Sequence, residues 1–349
     1  VCFLAIMTTL FFSPSAGLWC AEKISRPLEY SGYTSPEYTG YERTAEYFAV
    51  TDGTKLATVR YVPSGGPSDG PFPVIFTYFP YHYEITNPET GVTKPHFLQE
   101  AVDFYTSHGY VLILADMRGS GASYGLRAEL TEQLAEDGKE LVDWIAEQSW
   151  CNGNVGMFGV SYMGWSQYAT AGKKPGALKC IMPGYFGFDE FTRISEYPGG
   201  IRHKGGMFAL WGTQFFDKNV YWPESPAIGL ATPASPMIDE DGDGELADEI
   251  PLDLDGDGSF LEDYQLPDNP PQYSDGNERE HIYYLMTLEH LKSTQKVDEP
   301  LWFRDRPVLT GSDMIFEELS VNDYPTHIAE SGIPVYNTGG WFDEYVNGT

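Results

Sequence analysis

Basic residues are scarce in this chain. There are 21 Lys and Arg against 51 Asp and Glu, a formal net charge of −30 and a pI near 4.4. A surface of that sign repels phosphate backbones and anionic lipid headgroups, so nucleic-acid binding is not expected. Cysteines are also few, four in 349 residues. Long apolar runs are missing: the largely apolar stretch that opens the chain is twelve residues long, short of the roughly 20 that a membrane-spanning helix needs. No internal repeat of solenoid period is present, which excludes a stacked-repeat architecture. What remains is ordinary globular composition, 42% apolar and 21% charged, in a chain long enough to bury a large core.

The N-terminal stretch "VCFLAIMTTLFFSPSAGLWCAEK" places small residues after its apolar run. That is the shape of a secretory signal lacking its first residues, with cleavage expected after Ala16 or Gly17. The expectation is a secreted or periplasmic protein with no membrane span in the mature chain. Cys2 falls in that segment. Cys151 and Cys180 each sit by an apolar, strand-like run. Two unpaired, partly buried thiols are expected there, and a bridge between neighbouring parallel strands is the alternative.

Further along, residues 45 to 62 alternate about Asp52-Gly53, which reads as a hairpin. Uninterrupted apolar strands follow at 72–81, within 109–123 (where a Gly-rich loop comes after the strand), at 155–161 and at 178–186. Helical spacing lies between them, at 136–148 and from Tyr162 to about Ala171. Buried strands alternating with helices predict an α/β fold, a mostly parallel sheet with helices on both faces. From 187 to 330 the chain turns to aromatics, Gly and Pro, with helix candidates near 203–217 and 278–293. Strand character returns at 333–345. The middle is therefore read as an inserted cap. The expected layout is a signal at 1–21, the first part of the core at 22–186, the cap at 187–330 and the core resumed at 331–349.

The stretch "GMFGVSYMGWSQ" places Ser161 where a buried strand gives way at once to a helix. That is a nucleophile elbow. The tight turn lifts the Ser161 hydroxyl clear of the sheet, and Gly159 and Gly164 leave room for the adjoining strand and helix. The helix N-terminus then faces the oxyanion that forms, with the Tyr162 amide as a donor. The second glycine comes one residue later than in the usual Gly-x-Ser-x-Gly.

Together with "RGSGASYG" (118–125), "EDGKELVDWIAEQSWCNGNVGMFGVSYMGWSQ" (136–167) and "GGWFDEY" (339–345), the elbow resembles the cocaine esterase and X-prolyl dipeptidyl-peptidase family, to which α-amino acid ester hydrolases also belong. The resemblance implies an α/β-hydrolase core with an inserted helical cap and a C-terminal jelly-roll domain beyond this sequence. It implies a Ser–Asp–His triad in that chain order, with Ser161 as nucleophile and Asp343 as the acidic member. Tyr81, in the Pro-Tyr turn after an apolar strand, is implied as an oxyanion donor. The implied substrates are small esters or short peptides. Acidic residues where the cap begins, Asp189, Glu190 and Glu196, are candidates for binding a peptide α-amino group.

All seven histidines (82, 96, 108, 203, 281, 290 and 327) precede Asp343, whereas the triad order requires the base after it. The expectation is that the base lies beyond Thr349 and that these 349 residues alone show at most trace activity. His82 is read as a wall residue beside Tyr81.

The segment 238–264 carries 12 acidic residues and no basic one between Asp239 and Asp263. Asp239-x-Asp241-x-Asp243-Gly244 recurs as Asp253-x-Asp255-x-Asp257-Gly258. Oxygen ligands at alternate positions with glycine at the sixth suit a calcium loop, and Glu245 extends the first set. Position twelve is Ile250 in one copy and Tyr264 in the other, unlike an EF-hand. A structural Ca²⁺ bracing the cap is expected, with no organic cofactor. The favoured function is an exported serine hydrolase. The alternative is a non-catalytic, calcium-dependent binding module on the same scaffold.

Overall fold

The computed structural model describes residues 35–86, 93–126, 132–186, 232–233 and 324–339. The signal segment, nearly all of the cap with its acidic loops, the carboxylates Asp189, Glu190 and Glu196, and Asp343 lie outside them. The chain divides into two units, Val1–Pro36 and Glu37–Thr349. The elements below all belong to the second.

The N-terminal hairpin is present. β1 (Gly40–Ala49) and β2 (Lys55–Ser64) pair antiparallel across a turn in which Gly53 takes φ 87°. β3 (Phe72–Phe79) follows, then a small hairpin of β4 (Glu84–Thr86) and β5 (Thr93–Pro95), and α1 (Gln99–Ser107). β6 (Val111–Asp116), α2 (Glu132–Glu147), β7 (Cys151–Val160), α3 (Tyr162–Gly172) and β8 (Leu178–Gly184) complete the regular alternation. Two residues, β9 (Thr232–Pro233), pair with β4, and α4 spans Tyr324–Ser331.

The large sheet has the order β1-β2-β6-β3-β7-β8. β6, β3, β7 and β8 run parallel and the hairpin attaches antiparallel at one side. Beyond β8, Val335 and Thr338 bridge in parallel to Ile181 and Gly184. The strand expected at 333–345 therefore begins there as a further parallel neighbour.

Alternate residues of β3 enter opposite cores. Val74, Phe76 and Tyr78 pack with α2 and α3, through Leu141, Ile145, Trp165 and Ala169. Ile75 and Phe79 pack on the other face with Leu112, Leu114 and Val102 of α1. A strand covered on both sides has no solvent face to mark with polar residues, so it reads as an unbroken apolar run.

Cys151 and Cys180 are free thiols. Their strands are parallel neighbours, but the register puts Gly156 opposite Cys180. Against β3, Cys151 pairs with Phe72 and Gly156 with Ile75, so across a bulge Cys151 lies three steps back, roughly 10 Å at strand rise, too far for a bridge that needs Cα atoms within about 7 Å.

One buried ion pair ties the layers together. Arg118, just past β6, grips Asp137 of α2 with two bonds, Nε to Oδ2 and Nη2 to Oδ1, both 2.8 Å. Its Nη1 donates to Asp52 Oδ2 and Thr54 Oγ1, each at 2.7 Å, in the turn of the β1–β2 hairpin. One guanidinium thus fastens sheet, helix and hairpin. The Asp137 side chain is fully buried, so removing it leaves the Nε and Nη2 edge of a largely buried guanidinium without its partner. Asp137→Ala should lower unfolding free energy by about 3 kcal/mol, read as a shift of the urea midpoint. An exposed pair such as Lys139–Asp143, cut the same way, should move it by less than about 1 kcal/mol.

Candidate active site

The sheet order has a reversal at β3. The chain leaves β3 for β6 on one side, then crosses back through α2 to β7 on the other. The loops after β3 and β7 diverge there and leave a crevice at the carboxyl ends of the strands, where ligands bind in open α/β sheets. Tyr81 follows β3, and Ser161 follows β7.

Ser161 has φ 58° and ψ −125°. A side chain in that region costs of order 1–3 kcal/mol and persists only when its surroundings force it. Here they do. The Ser161 N–H donates to the Gly184 carbonyl at the end of β8, 2.9 Å away. The Ser161 carbonyl accepts from the N–H groups of Gly164 (2.7 Å) and Trp165 (3.1 Å), which start α3. Strand, turn and helix are thereby locked together.

The two glycines have distinct tasks. Gly159 takes φ 137°, and a Cβ there would lie 2.4 Å from Met163 Cβ. Gly164 lets α3 lie against β8: a Cβ would meet the Gly184 carbonyl oxygen at 2.9 Å and Phe186 Cβ at 3.1 Å. The later position of the second glycine matches this contact with β8.

The Tyr162 amide occupies the first position of α3, where helical N–H groups have no partner within the helix and point along its axis. The Tyr81 ring meets the Tyr162 ring edge-on, with centroids 6.4 Å apart. The structure thus brings Ser161, Tyr162 and Tyr81 to one place. Asp343 and the three cap carboxylates lie outside the described residues, as do all seven calcium candidates: Asp239, Asp241, Asp243, Glu245, Asp253, Asp255 and Asp257. Among the described residues no three His, Cys, Asp or Glu side chains stand together as a metal site.

Several residues that shape the site were not singled out by sequence. Asp116 ends β6, fully buried. Its carboxylate accepts the Tyr83 N–H at 2.7 Å and the Ala122 N–H at 2.9 Å, joining the Tyr81 loop to the glycine-rich loop. Burial pushes the Asp116 carboxyl well above its usual range, against the pull of those two N–H groups. Glu84, also buried, accepts from Arg43 Nε at 2.8 Å and from the Tyr61 hydroxyl, which pins β4 to β1 and β2. His96 reaches back to the Tyr81 carbonyl, 2.8 Å from Nδ1. A charge closing an apolar strand was the legible signal for Asp116; His96 had none. His82 takes φ 61° and is fully buried, in keeping with a wall residue.

Residues 52–349 match the X-Pro dipeptidyl-peptidase (S15) family. The chain belongs to that family. A protein of Mycobacterium bovis, assigned by name as a serine esterase, is 28% identical over 345 residues, covering 91% of this chain and 49% of its own length. The cocaine esterase of a Rhodococcus strain is 36% identical over 166 residues, 46% of this chain and 27% of that protein. Among solved structures, a CocE/NonD family hydrolase from Staphylococcus aureus is 28% identical, covers 53% of this chain and 34% of its own, and has a TM-score of 0.45. The chain spans about half the length, or less, of the curated relatives it matches. The S15 family assignment agrees with the α/β sheet order and with the strained serine at the crevice.

The elbow geometry makes a sharp demand on Gly164. Gly164→Ala should destabilise the fold by about 1–3 kcal/mol, because the atoms it meets are the Gly184 backbone and the Phe186 Cβ rather than a movable side-chain tip. The measurement is thermal unfolding, which should show a lowered Tm.

Proposed function

We propose that the protein is a serine hydrolase that cleaves a small ester or amide through an acyl-enzyme. The observation that carries this reading is Ser161, held at positive φ at the N-terminus of α3 in the crevice beside β3. Its Oγ attacks the substrate carbonyl carbon and gives its proton to a histidine base. The carbonyl oxygen takes up negative charge and accepts hydrogen bonds from the Tyr162 amide and the Tyr81 hydroxyl. The bond to the leaving alcohol or amine breaks as the base returns the proton to it. Water then attacks the acyl ester by the same route in reverse and frees Ser161.

In this reading Asp343 orients the histidine base. Acyl-ester cleavage and X-Pro dipeptide release share this chemistry. Asp189, Glu190 and Glu196 at the start of the cap supply the negative charge that would select a peptide N-terminus. The apolar N-terminal stretch and the acidic surface suit an exported enzyme. No helix among the described residues is long and apolar enough to cross a membrane.

The experiment takes the complete gene product. A fluorophosphonate should label it, and Ser161→Ala should abolish both labelling and p-nitrophenyl acetate turnover. Tyr81→Phe should lower kcat about 10²–10³-fold with a small change in KM, as loss of one oxyanion donor does. The ratio of aryl-ester to Gly-Pro-anilide turnover assigns the substrate class. Wild-type turnover in Ser161→Ala would sink the reading.

We also propose that the two acidic loops at 239–245 and 253–257 hold structural Ca²⁺. Twelve carboxylates without a cation in 25 residues repel one another unless a metal neutralises them. Calcium should bind by calorimetry, and EDTA should lower the Tm. A flat titration with an unmoved Tm refutes the site.

A further inference from the structure

The small hairpin beside the crevice ends in a side chain that the proposed chemistry has not used. β4 and β5 pair Glu84 with Pro95, Ile85 with Lys94 and Thr86 with Thr93. The ladder continues one step further, with the His96 N–H donating to the Tyr83 carbonyl at 3.2 Å. That step carries the His96 ring back over the turn that holds Tyr81. Its Nδ1 lies 2.8 Å from the Tyr81 carbonyl oxygen. A carbonyl only accepts, so Nδ1 carries the hydrogen and donates it. The ring is also braced edge-on against Phe97, with centroids 5.3 Å apart, and lies 6.5 Å from the His82 ring.

The turn needs such a brace. His82, the next residue, sits at φ 61°, a conformation that side chains adopt reluctantly. Downstream of it the main chain is held by the Asp116 carboxylate at Tyr83 and by Arg43 and Tyr61 at Glu84. Upstream, Phe79 accepts the Met117 N–H at 3.0 Å. His96 grips the peptide between these anchors, on the residue whose hydroxyl must meet the oxyanion.

We propose that His96 is a positioning residue for the hydrolytic reaction, fixing the Tyr81 main chain so that the Tyr81 hydroxyl stands ready for the transition-state oxyanion. This rests on the reading of Tyr81 as an oxyanion donor. A donor aimed at developing charge acts in the transition state, so loosening it lowers kcat and leaves KM nearly unchanged. Small displacements of a positioned group can cost as much as about a hundredfold.

The test uses the complete gene product with p-nitrophenyl acetate, and the variants His96→Leu, His96→Asn, His96→Gln and Tyr81→Phe. Asparagine presents an N–H at the place of Nδ1; glutamine presents it near the place of Nε2. His96→Leu and His96→Gln should lower kcat roughly tenfold or more, with KM within about twofold. His96→Asn should recover most of the rate. In the Tyr81→Phe background, His96→Leu should cost little more, because both changes disable the same donor. Should leucine unfold the chain, the Asn and Gln pair carries the same comparison.

A wild-type kcat in both His96→Leu and His96→Gln, with Tyr81→Phe impaired, overturns the role of His96 alone. So does a His96→Gln loss that persists in full in the Tyr81→Phe background. A wild-type kcat in Tyr81→Phe, with Ser161 still labelled by fluorophosphonate, removes Tyr81 from the oxyanion site and the role of His96 with it. Loss of labelling only in Ser161→Ala keeps the nucleophile assignment separate from both.

Discussion

The active-site end of the sheet depends on one unfavourable backbone conformation. Ser161 at positive φ is costly by itself, and three neighbours make it unavoidable. β8 takes its N–H, α3 takes its carbonyl, and Gly159 and Gly164 remove the side chains that would hold those partners apart. The constraint propagates outward. The Gly184 carbonyl that receives the Ser161 N–H is also the atom a Gly164 Cβ would strike. The conformation of Ser161, the packing of α3 on β8 and the end of β8 are thus set by the same few atoms. None can shift independently of the others.

On the opposite side of the crevice the solution is different. The loop after β3 has no helix following at once to lock it. Side chains add the fastenings that a helix supplies at Ser161: Asp116 on the Tyr83 N–H, Arg43 and Tyr61 on Glu84, and His96 on the Tyr81 carbonyl. The anchoring groups arise from β6, from the N-terminal hairpin and from the end of β5. The segment around Tyr81 is thus held from three directions.

Much of this was legible in the sequence, for physical reasons that differ by element. The parallel strands announced themselves because burial on both faces leaves only apolar residues, as in "FPVIFTYF" and "VLILA". The elbow was legible because its glycines and serine are forced by geometry that few other residues satisfy. α2 was expected over 136–148 and runs Glu132–Glu147, its buried face including Asp137 held by Arg118. α1 carried no boundary signal: no side chain caps its start at Leu98, and none of its last turn is basic. The β4–β5 hairpin has three residues a strand, too few for a period to show. His96 was therefore invisible as a contributor, since its meaning comes from a pairing register that only the folded chain reveals.

The topology gives the reason Tyr81 and Ser161 meet from places so far apart in sequence. β3 and β7 are neighbours in the sheet, yet α1, β6 and α2 lie between them along the chain. Among the described elements the chain leaves β3 toward β6 and leaves β7 toward β8, so their connections diverge at the carboxyl ends where Tyr81 and Ser161 stand. The antiparallel hairpin at the other edge takes no direct part in that opening. Through Asp52 and Thr54 it is nevertheless bound to Arg118, and Arg118 to Asp137 of α2. α2 is the crossover that delivers β7. A charge cluster at the hairpin turn therefore supports the element on which the position of Ser161 depends, without any of its members reaching the crevice.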